Sequence, residues 1–363
     1  MASALNVYNV VADFGADPTG ASDSSSAFQN AINAAQAAPS AAVYVPGGIY
    51  VADGLVQSSQ FAGIIGAGRA ATLIRTSSPS ATLLKIQNTF LAKVAGLTLC
   101  GKGNAIQIGG ALIEAKNAHA CDFSDLELVD GYNGIVLDNA TNCRMSFCKA
   151  FQFYGPSFVS VLNGGAAHIE SNQFDTSSYG PTPYSYGAPV TLWSPLTRFA
   201  AGAVAIANNA YFIAGNAGMS GSIPPAIAPF GTAVPDGGVN WYFLCSTAFR
   251  PVTLGPGANS NFVRFNDIDG PNAGAIRIDG SSTNIVIGNT LSNGLRSGID
   301  IFAGSNDNKI ALNMFQNFPL RGIEERSGSI IGSVIVHNTI ANITYDEIKT
   351  MGAGGIYTPN VLH

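Results

Sequence analysis

Charged residues are scarce in this chain of 363 residues. They make up 11% of the sequence, against about a quarter in ordinary soluble domains, whereas apolar residues make up 47%. A disordered chain has the opposite composition, so the sequence predicts a folded protein. The formal net charge is −5 and no run of lysine or arginine occurs. Nucleic acid is therefore not a predicted partner.

Long apolar runs are also missing. No apolar stretch reaches about 18 residues, so we predict no membrane-spanning helix and no membrane insertion. The chain starts Met-Ala-Ser-Ala-Leu-Asn-Val, without a basic segment followed by an apolar one, and no signal peptide is predicted.

Paired cysteines are the third absence. The five cysteines include no CxxC pair, which favours neither a zinc site nor a disulfide framework, and we predict no metal and no cofactor. Cys121 and Cys143 differ by 22 positions, so we interpret them as small core residues stacked in adjacent repeats.

The sequence does contain a repeat, between Asn261 and Ile340. Four segments run apolar, x, x, Asn, x, apolar, and successive asparagines are 23, 24 and 25 residues apart: Asn266, Asn289, Asn313 and Asn338. A period in the twenties is typical of a solenoid. The apolar residues alternate as in strands, and no helical pattern separates them. The repeat predicts an all-β chain, a parallel β-helix with a coil about every 24 residues, in which the asparagine side chains hydrogen-bond from rung to rung.

The N-terminal region predicts a cap on this solenoid. A strand begins at Val7, and a helix from about 24 to 37 follows Asp23, a good N-cap. Phe28 and Ile32 share one face of that helix, which we expect to cover the open end of the first coil. A strand, a turn and a second strand follow over 43–51.

The same region resembles a known family. Several segments are similar to the N-terminal signature of the pectate-lyase-like superfamily. They are Asp13-Phe-Gly-Ala-Asp-Pro-Thr-Gly, then Ala27-Phe-Gln and Ala31-Ile, then Val43-Tyr-Val-Pro-Gly-Gly-Ile-Tyr. That superfamily includes polygalacturonase-like enzymes and phage tailspike depolymerases. The resemblance implies a right-handed parallel β-helix with an N-terminal cap, and it transfers no catalytic residue.

The repeat is looser before residue 175. The predicted inward residues are Ile106, Ile108, Ile135, Leu137 and Val159. The predicted ladder positions are Ser124, Ser146 and Asn172.

A large insertion interrupts the coils. Asn172 and Asn266 are 94 residues apart, too far for one coil. The chain therefore divides into a cap with the first coil, a β-helix segment, the insertion, a second β-helix segment and a tail: 1–55, 56–175, 176–258, 259–345 and 346–363. Within the insertion, a Gly-x-Ser-Gly…Pro loop followed by Asp236-Gly-Gly-Val-Asn-Trp resembles a small module of phage tail and tail-fibre proteins. That resemblance implies a phage source and a location in a virion tail or outside the cell.

Outward carboxylates are the candidate catalysts. If Ile276, Ile299 and Ile323 stack inward, then Arg277, Asp300 and Glu324 form one outward column. Rungs are about 5 Å apart, and glycoside hydrolysis needs two carboxyls roughly 5–5.5 Å apart when retaining or 6.5–9.5 Å when inverting. Asp300 and Glu324 are thus predicted as nucleophile or base and as acid. Arg277 is predicted to bind an anionic sugar or to hold one carboxylate ionised. The alternative is an ion-pair ladder that keeps a flat face soluble.

Further candidates flank the insertion. Asp267 and Asp279 are additional catalytic candidates, with Asp269 beside them and Glu170 and Asp175 just before the insertion. The insertion's aromatic residues can stack on sugar rings or anchor the loop: Tyr179, Tyr184, Tyr186, Trp193 and Trp241.

These patterns predict a phage tailspike-like polysaccharide depolymerase. We expect it to cleave a bacterial surface glycan by carboxylate-mediated hydrolysis and to act as a homotrimer, as the resemblance implies. Two alternatives stay open: a lyase or epimerase acting on uronates, and a virion protein that binds glycan without cleaving it. Fold alone does not choose among them.

Overall fold

A computed structural model describes residues 6–38, 40–101, 106–175, 190–270, 273–343, 348–357 and 360–362. The elements before the insertion are β1 (Val7–Asn9), α1 (Ser25–Gln36), β2 (Ala42–Val45), β3 (Gly48–Val51), β4 (Leu55–Gln57), β5 (Gly63–Gly66), β6 (Thr72–Arg75), β7 (Leu84–Phe90), β8 (Lys93–Cys100), β9 (Ala111–His119), β10 (Asp122–Val129), β11 (Asn133–Asp138), β12 (Arg144–Ser146), β13 (Lys149–Phe151), β14 (Ser157–Leu162), β15 (His168–Glu170) and β16 (Gln173–Asp175). Those of the insertion are β17 (Thr191–Leu192), β18 (Arg198–Phe199), β19 (Val204–Ala207), β20 (Ala210–Ala214), β21 (Gly218–Met219), β22 (Val234–Asp236) and β23 (Val239–Ser246). The later strands are β24 (Val252–Leu254), β25 (Phe262–Arg264), β26 (Asp267–Asp269), β27 (Ile276–Ile278), β28 (Ile285–Ile287), β29 (Thr290–Ser292), β30 (Ile299–Ile301), β31 (Lys309–Ala311), β32 (Met314–Phe318), β33 (Ile323–Glu325), β34 (Val334–Val336), β35 (Thr339–Ile343), β36 (Ile348–Lys349) and β37 (Val361–Leu362).

The coils form a parallel β-helix with three faces, as the repeat predicted. The first face contains β12, β15, β25, β28, β31 and β34, paired in parallel. The second contains β13, β16, β26, β29, β32 and β35. The third is a ten-stranded sheet that runs from β4 to β36. The two strands β36 and β37 lie within the predicted tail, and each pairs with an earlier coil.

The inward residues build one continuous apolar core. Ile276 pairs with Ile299, which pairs with Ile323, and all three are fully buried. Ile135, Leu137 and Val159 are buried too, so these predictions are confirmed. Ile108 was assigned wrongly, since it is 67% exposed. In that coil Ile113, on β9, pairs with Ile135 and occupies the inward position.

The predicted asparagine ladder forms at the turn between the first and second faces. The side chain of Asn266 donates to Oδ1 of Asn289 at 2.9 Å, and that of Asn289 to Asn313 at 2.9 Å. The ladder continues through Asn338, and Asn172 donates into it from the coil before the insertion. All of these amides are buried, so the ladder satisfies polar groups that have no access to water.

Two predicted ladder positions are wrong. Met145 pairs with Ile169, which places Ser146 beside Glu170 rather than Asn172. The ladder position of that coil is Cys148, whose backbone N–H donates to Oδ1 of Asn172 at 2.9 Å. Ser124 pairs with Ser146 and is displaced in the same way. The sequence alignment matched Ser146 to Asn172, although Cys148 occupies the equivalent position. The alignment of this coil was therefore displaced by two positions.

The N-terminal helix caps the core. In α1 the apolar residues Phe28, Ala31, Ile32 and Ala35 are fully buried. The N-cap is Ser24 rather than the predicted Asp23, whose carboxylate instead accepts the backbone N–H of Ser25 at 3.0 Å. Helix packing at this end covers strand edges that would otherwise be open.

The insertion has a sheet of its own. The chain leaves the second face after β16 and returns to the third face at β24, inside the predicted insertion range. Strands β17, β19, β20, β23 and β22 form a five-stranded sheet in that order. Its apolar core packs on the β-helix through Tyr154, whose ring stacks 5.8 Å from that of Phe243.

The cysteines lie in the apolar core as expected. All five are buried and have free thiols. No helix among the described residues is long and apolar enough to span a bilayer.

Candidate functional site

The predicted outward column on the third face is confirmed in register. Arg277 pairs with Asp300, and Asp300 pairs with Glu324. The next rung adds Lys349. We call Arg277, Asp300, Glu324 and Lys349 the charged column. Two acidic residues, Asp300 and Glu324, therefore lie on neighbouring rungs, as the alignment of the repeats predicted.

Asp300 is at the centre of a buried salt bridge. Arg250 donates to its Oδ2 through Nε at 3.3 Å and Nη2 at 3.0 Å. Arg326 donates to its Oδ1 at 2.9 and 2.7 Å. Asp300 itself is 0% exposed, so the column is buried here, whereas the alternative considered from sequence was a solvated ladder. Two guanidinium groups occupy both oxygens, which leaves Asp300 poorly placed to touch a substrate.

Glu324 is held in a similar way. Its Oε1 accepts from Arg321 at 3.1 Å and Lys349 at 3.2 Å, and its Oε2 from Ser297 at 3.0 Å. Burial alone would raise the pKa of Glu324, but Arg326, Lys349, Ser297 and Arg321 together hold this pKa below its usual value. A carboxyl with a lowered pKa is suited to the role of base rather than of acid.

Arg277 lies at the first rung of the charged column, beside Asp279. Asp279 accepts from Arg277 at 2.5 Å, and both side chains are about one-third exposed. The Arg277 guanidinium lies 4.4 Å from the ring centroid of Phe302, and that of Arg326 lies 5.5 Å from the same ring. The two cations therefore lie over one aromatic ring at the surface of the third face.

Sequence reasoning missed the arginines of this site. Arg250 ends the insertion, and Arg321 and Arg326 flank β33, so no basic run in the sequence marks them. Only the winding of the chain brings Arg250 to Asp300, 50 positions later. The outward register of Glu324 could have indicated Arg326, which lies two positions further along the chain.

A second group of carboxylates lies on the second face, next to the insertion. Asp175 pairs directly with Asp269 on the next rung, at a spacing of about 4.8 Å. Asp267 precedes Asp269 by two positions, so both point outward, about 6.6 Å apart along the strand. We call Asp175, Asp267 and Asp269 the acidic trio. These backbone spacings are close to the carboxyl separations that glycoside hydrolysis uses.

The members of the acidic trio are in different environments. Burial, followed by the charges of Asp269 and Asp175, raises the pKa of Asp267 above its usual value. Asp269 instead accepts two short hydrogen bonds at Oδ1, from Ser292 Oγ and Asn293 Nδ2, both at 2.6 Å. Asp267 therefore has carboxylates as its charged neighbours, whereas Oδ1 of Asp269 is held by two hydrogen-bond donors.

Both tryptophans of the insertion donate a hydrogen bond to one aspartate, Asp236. Trp241 is 0% exposed, and its Nε1 donates to Oδ2 of Asp236 at 3.0 Å. Trp193 is half-buried and donates to the same oxygen at 2.8 Å. These contacts favour the anchoring alternative for Trp241, and leave part of Trp193 accessible. Tyr179, Tyr184 and Tyr186 lie outside the described residues.

Two families match parts of the sequence. Residues 251–360 match the family described as right handed beta helix region. Residues 7–119 match the family described as rhamnogalacturonase A/epimerase, pectate lyase-like. The chain is a right-handed parallel β-helix, and its N-terminal third matches a pectate-lyase-like family. No curated protein sequence shows significant similarity to this β-helix.

Solved structures share the fold at low sequence identity. The DFA-IIIase from Arthrobacter chlorophenolicus A6 is 11% identical, with a TM-score of 0.60 over 99% of each chain. The Dettilon tailspike protein is 16% identical, with a TM-score of 0.56 over 97% of this chain and 68% of its own. A hyperthermoactive exopolygalacturonase from Thermotoga maritima is 10% identical, with a TM-score of 0.56 over 93% of this chain and 80% of its own. At these identities the likeness extends to the fold alone.

Proposed function

We propose that this β-helix hydrolyses a bacterial surface polysaccharide, in the manner of a phage tailspike depolymerase. The observation that carries the proposal is the acidic trio, in which Asp267 has a raised pKa beside Asp269. The names of the structural neighbours, a tailspike and an exopolygalacturonase among them, support a glycan as the substrate. The resemblance of the insertion to a module of phage tail proteins supports a location in a virion tail.

The proposed reaction uses two carboxyls in different protonation states. Asp267 donates its proton to the glycosidic oxygen while the bond to the sugar carbon breaks. Asp269 or Asp175 takes a proton from the attacking water, or attacks the sugar carbon itself before water releases the product. Exchange with solvent then returns the proton to Asp267.

The charged column is proposed to bind the substrate. Around Asp300 and Glu324 lie Arg250, Arg321, Arg326 and Lys349, so cations exceed carboxylates. Arg277 and Arg326 are partly exposed over Phe302, where they can bind an anionic sugar. In this proposal Asp279 orients Arg277, and Asp300 and Glu324 orient the other cations. The competing proposal keeps Asp300 and Glu324 as the catalytic pair.

One experiment separates these proposals. The protein is incubated with a panel of capsular and O-antigen polysaccharides, and the products are analysed by mass spectrometry. Hydrolysis adds one water to each cleaved bond. We expect Asp267→Asn and Asp269→Asn to abolish cleavage while Asp300→Asn weakens binding. If Asp267→Asn cleaves the glycan fully and Glu324→Gln does not cleave it, the catalytic residues belong to the charged column.

The same panel tests the two other functions. The excess of cations near Glu324 also suits a lyase acting on uronates, because a lyase must neutralise the substrate carboxylate. A lyase leaves an unsaturated product that absorbs in the ultraviolet and adds no water. Binding without any change in substrate mass across a broad panel would favour a non-catalytic glycan-binding protein.

A homotrimer is the proposed assembly. Apolar side chains are exposed along the corner between the first and second faces, among them Phe147, Phe265 and Leu312. Contact with further copies of the chain would remove this apolar surface from water. Light scattering coupled to size-exclusion chromatography tests the proposal, and a mass of one chain at micromolar concentration would contradict it.

A further inference from the structure

A second row of asparagines lies at the end of the second face. Asn293, Asn317 and Asn342 occupy equivalent places in successive coils, each in the left-handed region with φ of 63°, 60° and 54°. The side chain of Asn342 donates to Oδ1 of Asn317 at 3.2 Å, and that of Asn317 to Oδ1 of Asn293 at 2.7 Å. Asn293 then donates to Oδ1 of Asp269 at 2.6 Å. We call these three residues the outer ladder.

The carboxylate determines the direction of the outer ladder. A charged carboxylate accepts hydrogen bonds and cannot donate them, so Asn293 must present its NH₂ group to Asp269. Its Oδ1 is then left to accept from Asn317, and the same argument orients Asn317 towards Asn342. Each donated bond polarises the next amide, so the row acts on its last acceptor as a unit.

A matched row elsewhere has no carboxylate at its end. Asn139 donates to Asn117 at 2.8 Å, and Asn117 donates to Asn88 at 3.0 Å, near the end of the third face. These asparagines also have positive φ. Their row ends on an amide, which shows that such a row can serve the turn alone. The outer ladder differs because it ends on a candidate catalytic group.

We propose that Asn293 is a positioning residue for Asp269, and that Asn317 and Asn342 hold the Asn293 amide in its donating orientation. The inference rests on the proposed function, in which Asp269 is the base or nucleophile. Asn293 acts by fixing Oδ1 of Asp269 through its donated hydrogen bond. Ser292 supports the same oxygen from the same rung.

Activity is the first test. Asn293→Gly keeps a residue that tolerates positive φ, and it removes the donated bond. We expect kcat/KM for glycan hydrolysis to fall about tenfold to a hundredfold, with the acidic limb of its pH profile moved to higher pH. Asn117→Gly is the matched control, and its profile should be that of the wild type. An unchanged profile in Asn293→Gly would overturn the inference.

A spectroscopic measurement separates this inference from the proposed function. The side-chain NH₂ signals of Asn293 are followed in nitrogen–proton correlation spectra of the full chain. Asn317→Asp cannot donate to Asn293, so we expect these signals to move in Asn317→Asp and in Asp269→Asn, but not in Asn117→Asp. Signals that stay in place in both variants overturn the positioning role. Signals that move while Asp269→Asn still cleaves glycan would support the contact and reject Asp269 as the catalyst.

Discussion

At the scale of single residues, the two candidate sites differ in the direction in which the pKa of one carboxyl is shifted. Asp267 and Glu324 both lie on outward columns, and burial is the largest influence on each. Asp267 has carboxylates for neighbours, so its pKa is raised. Glu324 has cations for neighbours, so its pKa is lowered. In the sequence, each of them is simply an acidic residue in a strand. Only the surrounding groups distinguish a carboxyl with a raised pKa from one that forms ion pairs.

Replacing Asp267 by asparagine should remove activity without loss of stability. We expect hydrolysis to fall by about 10²–10⁴, the usual contribution of a general acid. Because the raised pKa means that the folded state binds this proton more tightly, the charged form opposes folding at neutral pH. Thermal unfolding at pH 7 should therefore occur at the same or a slightly higher temperature. In the wild type, the rate should decline as pH rises through the raised pKa of Asp267.

Glu324→Gln should have the opposite effect on stability. The lowered pKa of Glu324 contributes stability that is present above its ordinary value of 4.5 and is lost as pH falls through the lowered value. Loss of the charge leaves three partly exposed cations without their buried partner, at a cost of roughly 1–3 kcal/mol at pH 7. Urea unfolding at pH 7 and at low pH measures the difference. A cost that does not shrink on acidification would argue against the ion-pair role.

At the scale of elements, the buried asparagine ladder holds the coils in register. Oδ1 of Asn289 accepts both the backbone N–H and the side-chain NH₂ of Asn266, at 3.0 and 2.9 Å. A strand pairing shifted by one residue would break every such pair and turn the inward isoleucines outward. The ladder therefore contributes to specificity of register as well as to stability.

Asn289→Ala should destabilise the β-helix by about 2–4 kcal/mol. The change leaves two buried donors of Asn266 without an acceptor, and each unsatisfied group costs about 1–3 kcal/mol. Denaturant unfolding measures the loss. Thr339→Ala, an outward substitution on β35, should cost less than about 0.5 kcal/mol. Equal effects of the two substitutions would contradict the structural role of the ladder.

At the scale of the whole molecule, the insertion and the β-helix share one buried ion pair. Arg250, at the end of the insertion, reaches Asp300 on the third face at 3.0 Å. Both side chains are buried, so the pair joins the insertion to the charged column. The acidic trio lies where the insertion leaves the second face, and Arg250 where it returns to the third. The insertion therefore links the two candidate sites.

Arg250→Met should loosen the insertion and leave the coils wound. Asp300 would lose one of its two guanidinium partners while still buried, which costs roughly 3 kcal/mol. Limited proteolysis should then cut within 190–250 faster than in the wild type, with the circular dichroism of the β-helix retained. The protease should cut the variant Arg198→Met, which changes an exposed residue of the same insertion, at the wild-type rate. Equal cleavage rates for both variants would contradict the anchoring role.

The sequence by itself determined the winding of the chain. The period of its asparagines, the alternation of isoleucines and the capping helix predicted the parallel β-helix, and even the pairing of Arg277, Asp300 and Glu324. These features follow from local periodicity, which a linear sequence records directly. The sequence did not reveal which outward carboxyl is accessible, which is ion-paired and which has a raised pKa. Asp175 lies 92 positions before Asp267, and Arg250 lies 50 positions before Asp300, so only the tertiary structure sets their distances, and distance and burial decide the charge of each group.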